Sequence, residues 1–265
     1  MTRRQATGLT EPDKSIAALP QLGALGSTIK TKIRSLLPRE IGPHRIWSGP
    51  LRGRTIVTSW HDYPRAIVGR TETRLLRLLQ TRVADGETWL DIGAQYGYTV
   101  IAMHRAKRVY AFEPVPTTAI ALETTVRLNG LTNTAIVPIG LSDQAGETSV
   151  SLVKGMADHV ARTPEKVDIT LARLDDLWPD LDGGPIHGLK MDIQGAETKA
   201  LNGMASLLVK YQPWLAIEIH DGTDPGVLTN LLAGWGYGAG TPLDPEVAPF
   251  TPNHSVIFQS RTAAS

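Results

Sequence analysis

The run Trp89-Leu90-Asp91-Ile92-Gly93-Ala94-Gln95-Tyr96-Gly97-Tyr98 combines an acid, two glycines and an apolar lead-in. An apolar strand that ends at an acid and turns through glycine into a helix sets both at the carboxyl edge of a sheet. Open α/β folds bind ligands there. Glycine lets the backbone approach a ligand with no Cβ in the way. The spacing Gly93-x-x-x-Gly97 is not the G-x-G-x-x-G of dinucleotide sites, where bare amides at a helix N-terminus meet a pyrophosphate. A carboxylate beside the turn suits a ligand with cationic groups, such as the ammonium and sulfonium of S-adenosylmethionine. Asp91, Gly93, Ala94, Gln95, Gly97 and Tyr98 are therefore expected around such a cofactor.

A second acid, Glu113, closes the run Val109-Tyr-Ala-Phe-Glu113-Pro114, 22 residues after Asp91. A carboxylate at the end of the second strand can accept hydrogen bonds from both hydroxyls of a ribose. Taken alone, Glu113 reads equally well as a helix N-cap acid ahead of Pro114. Next to Asp91-x-Gly93 the ribose role is the stronger reading. After the third strand, Gly140-Leu-Ser142-Asp143 falls across the crevice from Glu113. Ser142 or Asp143 could accept there from an adenine amine; the plainer reading is a turn.

Methyl transfer from a sulfonium is an in-line displacement that needs alignment above all. An aliphatic hydroxyl acceptor also needs a base. Lys190 and Asp192 share one face of a fourth strand, and Glu218 and His220 share one face of a fifth. Asp192 is the candidate nearest the reacting methyl, His220 a candidate base, and Lys190 a candidate for either chemistry or pairing with Glu218 or Glu197. The plainer role for Asp192 is to cap the following helix. Asp192, Glu218 and His220 would form an oxygen/nitrogen metal site if the fold gathered them, but no metal is assigned on the sequence. The other histidines show no pattern that favours chemistry.

These residues need a parallel sheet to hold them. Strands are predicted at Trp89–Ile92, Val109–Phe112, Ala135–Ile139, Gly188–Asp192 and Trp214–Ile219, with helices at Tyr98–Arg105, Thr117–Asn129 and Ala196–Tyr211. Such alternation implies right-handed βαβ units and a doubly wound α/β fold, Rossmann-like and mostly parallel. An inserted hairpin is expected at about residues 144–186, with strands at Thr148–Leu152 and Asp168–Leu171. Upstream, Arg45 to Thr58 reads as a hairpin, and a leucine-rich helix runs from Glu72 to Val83 behind a Thr71 cap. Downstream, Pro225–Trp235 reads as a helix, Ser255–Gln259 as a last strand, and Thr241–Asn253 as a loop near the site. Residues 1–44 read as an arm ending in a short basic amphipathic helix, Thr28–Leu37, with residues 45–265 as the domain proper.

Composition is that of an ordinary globular chain: 265 residues, 42% hydrophobic, net charge +1 and no cysteine. Near-neutral charge favours neither nucleic acid nor a membrane surface as partner. The missing cysteines exclude thiol nucleophiles and zinc–thiolate sites. No apolar run reaches the roughly 20 residues of a membrane span, so a cytoplasmic chain acting on a small molecule is expected, with its oligomeric state open.

The motifs together resemble the FkbM family of methyltransferases. Asp91-Ile-Gly93-Ala-Gln-Tyr-Gly97-Tyr98-Thr99 resembles its D-[VI]-G-A-N-x-G-Y-[YT] run, Phe112-Glu113-Pro114 its F-E-P, Leu141-Ser142-Asp143 its L-S-D, and Lys190-Met-Asp192-Ile-Gln-Gly195-Ala-Glu197 its K-[IV]-D-[VI]-E-G-[AH]-E. The hairpin with Gly49 and Gly53, and the Gly69…Glu72 pair, resemble the segment ahead of that family's first motif. Gln95 stands where Asn is common and Gln194 where an acid is common. The resemblance implies S-adenosylmethionine as cofactor and methyl transfer, often to oxygen, in tailoring of natural products or sugars. Two rivals are a nicotinamide-dependent oxidoreductase, disfavoured by the missing third glycine and the early Asp91, and a non-catalytic nucleoside-binding module.

Overall fold

The computed structural model describes residues 36–159, 165–248 and 250–261. The chain divides into two units, Met1–Pro38 and Arg39–Ser265, and every helix and strand described belongs to the second. The expected basic helix Thr28–Leu37 lies almost wholly outside the described residues. In the second unit the expected hairpin opens a few residues earlier than Arg45, with β1 (Gly42–Arg45) paired antiparallel to β2 (Thr55–Thr58). A short helix not foreseen, α1 (Pro64–Val68), comes next and ends at Gly69 with φ 79°. A Cβ on Gly69 would come within 1.9 Å of the Ser48 carbonyl oxygen, so this glycine lets the hairpin turn sit against the helix end.

Helix α2 (Thr73–Arg82) packs Leu75, Leu76 and Leu79 inward. Its N-cap position is Glu72, in the left-handed region at φ 49° and with no side-chain cap bond. The expected Thr71 cap is therefore absent, and the Glu72 carboxylate is turned to another partner.

The main sheet has seven strands in the order β12-β13-β11-β10-β3-β4-β5. Its parallel members are β3 (Thr88–Ile92), β4 (Arg108–Phe112), β5 (Thr134–Val137), β10 (Gly188–Met191) and β11 (Trp214–Ile219); β13 (His254–Phe258) and β12 (Thr241–Pro242) complete one edge antiparallel. Strands buried on both faces read as continuous apolar runs. Trp89, Val109 and Ala111 pack into the core on one face, with Leu76, Leu79 and Leu122. Leu90, Ile92, Tyr110, Phe112, Leu189 and Met191 pack into the core on the other.

Helices α3 (Tyr98–Ala102), α4 (Pro116–Leu128), α6 (Glu197–Asn202), α7 (Ala205–Tyr211) and α8 (Pro225–Gly234) connect or flank the strands once a four-residue α5 (Leu174–Leu177) is counted ahead of α6. The single helix expected over Ala196–Tyr211 is broken at Gly203, where a Cβ would meet the Ser142 carbonyl oxygen at 1.9 Å. The Ser142 backbone passes against the chain at this break.

Between β5 and β10 the chain builds a second sheet of four strands, ordered β6-β9-β7-β8. Its strands are β6 (Gly140–Leu141), β7 (Gly146–Val153), β8 (Met156–Asp158) and β9 (Lys166–Ala172). The expected hairpin strands correspond to β7 and β9, which pair antiparallel. The short β6 and β8 carry too few residues to show period-two alternation. No described helix is long and apolar enough to cross a membrane.

Candidate functional site

The carboxyl ends of β3, β4 and β10 open into a cleft of about 720 Å³, including its mouth. Sheet ends supply Gly93, Ala94, Gln95, Glu113, Lys190 and Asp192; the second sheet supplies Met156, Ile169 and Leu171; the segment before the first motif supplies Tyr63 and Glu72.

Glu113 is 3% exposed. Its Oε2 accepts from the Gln95 backbone N–H at 2.9 Å and its Oε1 from the Val115 N–H at 2.9 Å. Gln95 reaches this position through left-handed backbone at φ 47°. Burial pushes the Glu113 carboxyl up from 4.5 to about 7, against the two backbone hydrogen bonds that favour its charged form. Each oxygen keeps an unused lone pair, which is the capacity a vicinal diol requires. Pro114 and Tyr98 line the same wall. The Tyr98 hydroxyl is buried without a hydrogen bond.

Gly93 has φ 78°, and a Cβ there would stand 1.9 Å from the Asp192 carbonyl oxygen. Its glycine requirement comes from the adjoining strand end, not from space for a ligand. Gly97, expected at the ligand, is not among the lining residues. A Cβ on it would come within 2.7 Å of Leu122 Cδ1, so it serves the packing of α4.

Asp91 is fully buried and does not line the cleft. Its Oδ2 accepts from Thr99 Oγ1 at 2.5 Å, and its Oδ1 lies 3.3 Å from Lys190 Nζ. Strand register sets Lys190 beside Asp91. Lys190 therefore pairs with Asp91 instead of the expected Glu218 or Glu197, and donates to the Gly93 carbonyl at 2.9 Å. Burial opposes its charge, but Asp91, Asp192 and Glu72 around it hold the ammonium well above its ordinary range. Lys190 ties the first turn to the fourth strand and leaves the carboxylates to face the cleft.

Asp192 does face it. Burial and the nearby Glu218 raise its carboxyl to about 6, opposed by Lys190 and His220. Its Oδ1 accepts from Gln194 Nε2 at 2.9 Å and lies 3.4 Å from His220 Nε2. Glu218 Oε1 is 3.5 Å from the same nitrogen. Behind the ring, His220 Nδ1 is bonded to Glu197 Oε1 at 2.8 Å, and Glu197 Oε2 accepts from Thr223 Oγ1 at 2.5 Å. Burial lowers His220, but the Glu197 and Glu218 carboxylates outweigh it and lift the imidazole to about 10. His220 is 5% exposed and stands behind the cleft wall.

Ser142 and Asp143 are not among the lining residues; Gly140 and Leu141, just before them, are. Ser142 instead donates its backbone N–H to the Ala172 carbonyl at 2.9 Å. The segment Thr241–Asn253, expected near the site, contributes no described lining residue.

The place of Glu72 and Tyr63 in the cleft is not foreshadowed by any spaced motif. The Tyr63 hydroxyl donates to Glu72 Oε1, and burial lifts the Glu72 carboxyl to about 7. The local signs are the Gly69…Glu72 pair and an acid just ahead of the leucine-rich helix; Tyr63 carries none. Glu197 stands at the end of the fourth motif, yet only the fold shows that it reaches His220.

A family model described as the methyltransferase FkbM domain matches residues 91–238. The hexuronic acid methyltransferase AglP of Haloferax volcanii is 28% identical over 169 residues, which cover 62% of this chain and 69% of that protein. The crystal structure of a methyltransferase FkbM from Methylobacillus flagellatus superposes with a TM-score of 0.50 at 22% identity, over 67% of this chain. The match spans only 44% of that longer protein.

Proposed function

Since the chain belongs to the FkbM methyltransferase family, we propose that it moves the methyl group of S-adenosylmethionine to a hydroxyl oxygen of a sugar or sugar-like small molecule. One observation carries the reading: a buried carboxylate with free lone pairs, Glu113, and a cleft-facing carboxylate, Asp192, stand on the same cleft at the ends of β4 and β10. The first suits a ribose diol. The second suits an acceptor hydroxyl.

When bound, the cofactor supplies an electrophilic methyl on a sulfonium. The protein supplies the rest. Glu113 holds the ribose, and Gly93, Ala94 and Gln95 carry the backbone that approaches it. Lys190 and Asp91 fix the turn against β10. Asp192 accepts a hydrogen bond from the acceptor hydroxyl and takes its proton as the oxygen–carbon bond forms; the carbon–sulfur pair stays on sulfur. His220, held by Glu197, positions Asp192. The excess of carboxylates over cations around this end of the cleft favours a positively charged donor. The sugar-like acceptor is supported by AglP, named for hexuronic acid. At 28% identity that likeness supports a class and no particular sugar.

The test is calorimetric titration with S-adenosylmethionine, S-adenosylhomocysteine and NAD. Binding of the first two without the third is expected. Glu113→Ala should weaken S-adenosylhomocysteine by about 10- to 150-fold, the worth of a charged hydrogen-bond acceptor. An unchanged dissociation constant in a folded variant would overturn the assignment.

A further inference from the structure

We infer that Asp192, Glu218 and His220 form a binding site for one divalent cation, of the Mn²⁺ class, set into the cleft wall behind Asp192. One ligand atom from each of the three lies within 4.8 Å of the other two. The distances from His220 Nε2 to Asp192 Oδ1 and Glu218 Oε1 are 3.4 and 3.5 Å. Two ligands about 2.1 Å from a shared ion stand roughly 3.0–3.5 Å apart at right-angle to tetrahedral geometry. The two distances from the His220 nitrogen already match those of a loaded site. Two carboxylates and one imidazole make a mixed oxygen/nitrogen set, which suits Mn²⁺ and its neighbours better than a soft metal.

The cluster is more than a patch of acids. Glu197 is fully buried and engages Nδ1 of His220 at 2.8 Å, while Thr223 fixes the other oxygen of Glu197. A carboxylate that takes the Nδ1 hydrogen aims Nε2 away from itself, the arrangement that orients a metal-binding imidazole. Here Nε2 points at Asp192 and Glu218. Two carboxylate oxygens facing one ring nitrogen call for a positive charge among them, a proton or a metal ion. The Gln194 amide nitrogen partly fills this place, 2.9 Å from Asp192 Oδ1 and 2.8 Å from His220 Nε2. Gln194 must swing aside on loading. It sits in the left-handed region at φ 51°, on the turn that leaves β10.

A divalent ion here would share Asp192 with the cleft and fix that carboxylate beside the acceptor hydroxyl. That role rests on the O-methyl transfer reading; the binding itself does not.

The test is Mn²⁺ titration of the full chain without cofactor or acceptor, read by electron paramagnetic resonance of the free ion. It is run at a fixed pH of roughly 8, and loading releases the proton that the imidazole otherwise carries. One site per chain is expected, with a dissociation constant below about 1 mM. Glu218→Gln, at a partly exposed position, should weaken it at least about 10-fold with an unchanged melting curve. Glu197→Gln should weaken it about 10- to 100-fold, as loss of an orienting partner does. Gln194→Glu adds a carboxylate in place of the obstructing amide and should tighten binding. It guards against the case in which the weakening variants are merely unstable. No saturable Mn²⁺ binding by the wild type overturns the proposal, as does equal affinity in folded Glu218→Gln and Gln194→Glu proteins. S-adenosylhomocysteine titration without metal tests the methyltransferase reading separately, so the two failures are distinguishable.

Discussion

Glu113 should make the cofactor-free protein less stable in its working, ionised form, and Glu113→Gln exposes this through pH. The native carboxyl is raised from 4.5 to about 7, chiefly by burial at 3% exposure. A group whose folded-state value lies above its unfolded one binds its proton more tightly in the native state. The stability linked to that proton is fully present below about pH 4.5 and is lost as pH rises through about 7. The size of the shift corresponds to roughly 3 kcal/mol. Gln cannot ionise, and its amide also misplaces one hydrogen-bonding atom against the Gln95 or Val115 N–H. That second cost is constant with pH, so the informative quantity is the difference between the two proteins. Urea unfolding of both, without cofactor, at intervals from about pH 4.5 to 8.5 should show wild type losing about 3 kcal/mol relative to Glu113→Gln. If Glu113 holds the ribose as proposed, S-adenosylhomocysteine affinity should fall in the same variant, since the charged acceptor is lost. Wild-type affinity should itself weaken below about pH 7, where Glu113 takes up its proton. A pH-independent stability difference would refute the claim that Glu113 is held in a costly, desolvated state.

Other substitutions test the remaining contacts. Gly93→Ala puts a Cβ 1.9 Å from the Asp192 carbonyl oxygen at φ 78°; it should lower the melting temperature and the cofactor affinity together, and a variant that melts like wild type would mean the strand ends can part freely. Lys190→Met leaves Asp91 and Asp192 without their shared cation and should destabilise by about 3–5 kcal/mol in denaturant titration; an unchanged midpoint would show that Thr99 alone suffices for Asp91. Asp192→Asn should keep S-adenosylhomocysteine binding within a few-fold while lowering turnover on a methylatable sugar by about 100-fold or more, and wild-type turnover would remove Asp192 from the chemistry.

Much of the main sheet was legible because its strands are short apolar runs separated by helical stretches, and doubly wound topology follows from that alternation. The usual strand order of such a sheet already makes Asp192 a neighbour of the first turn, and β10 does lie beside β3. Less legible were residues whose position depends on contacts far along the chain. The sequence offers Asp91 as a ligand contact, but strand register hands it to Lys190. Ser142 and Asp143 match a motif in type and order, yet the cleft wall stops at Leu141 and the next backbone supports the break at Gly203. Glu72 and Tyr63 carry little spacing signal because their partners are each other and the cleft. Glycine at 93 marks the right turn for an incomplete reason, since the neighbour that forbids a side chain there is protein backbone.

The contact of Gly93 with the end of β10 bears on how such an enzyme could change its substrate. The Gly93 turn and the Asp192 carboxylate are fastened together through Lys190 and the Asp192 backbone, so neither can drift without the other. The remaining walls come from elsewhere: Met156, Ile169 and Leu171 from the second sheet, Tyr63 and Glu72 from ahead of the first motif. Those two pieces are joined to the reaction centre at few points: Glu72 faces Lys190, the Lys154 carbonyl accepts from Gln95 Nε2 at 3.3 Å, and the His159 N–H donates to the Gln194 carbonyl at 3.2 Å. Divergence toward new acceptors should concentrate in them, and grafting residues 140–172 from a relative is the economical route to a swapped specificity.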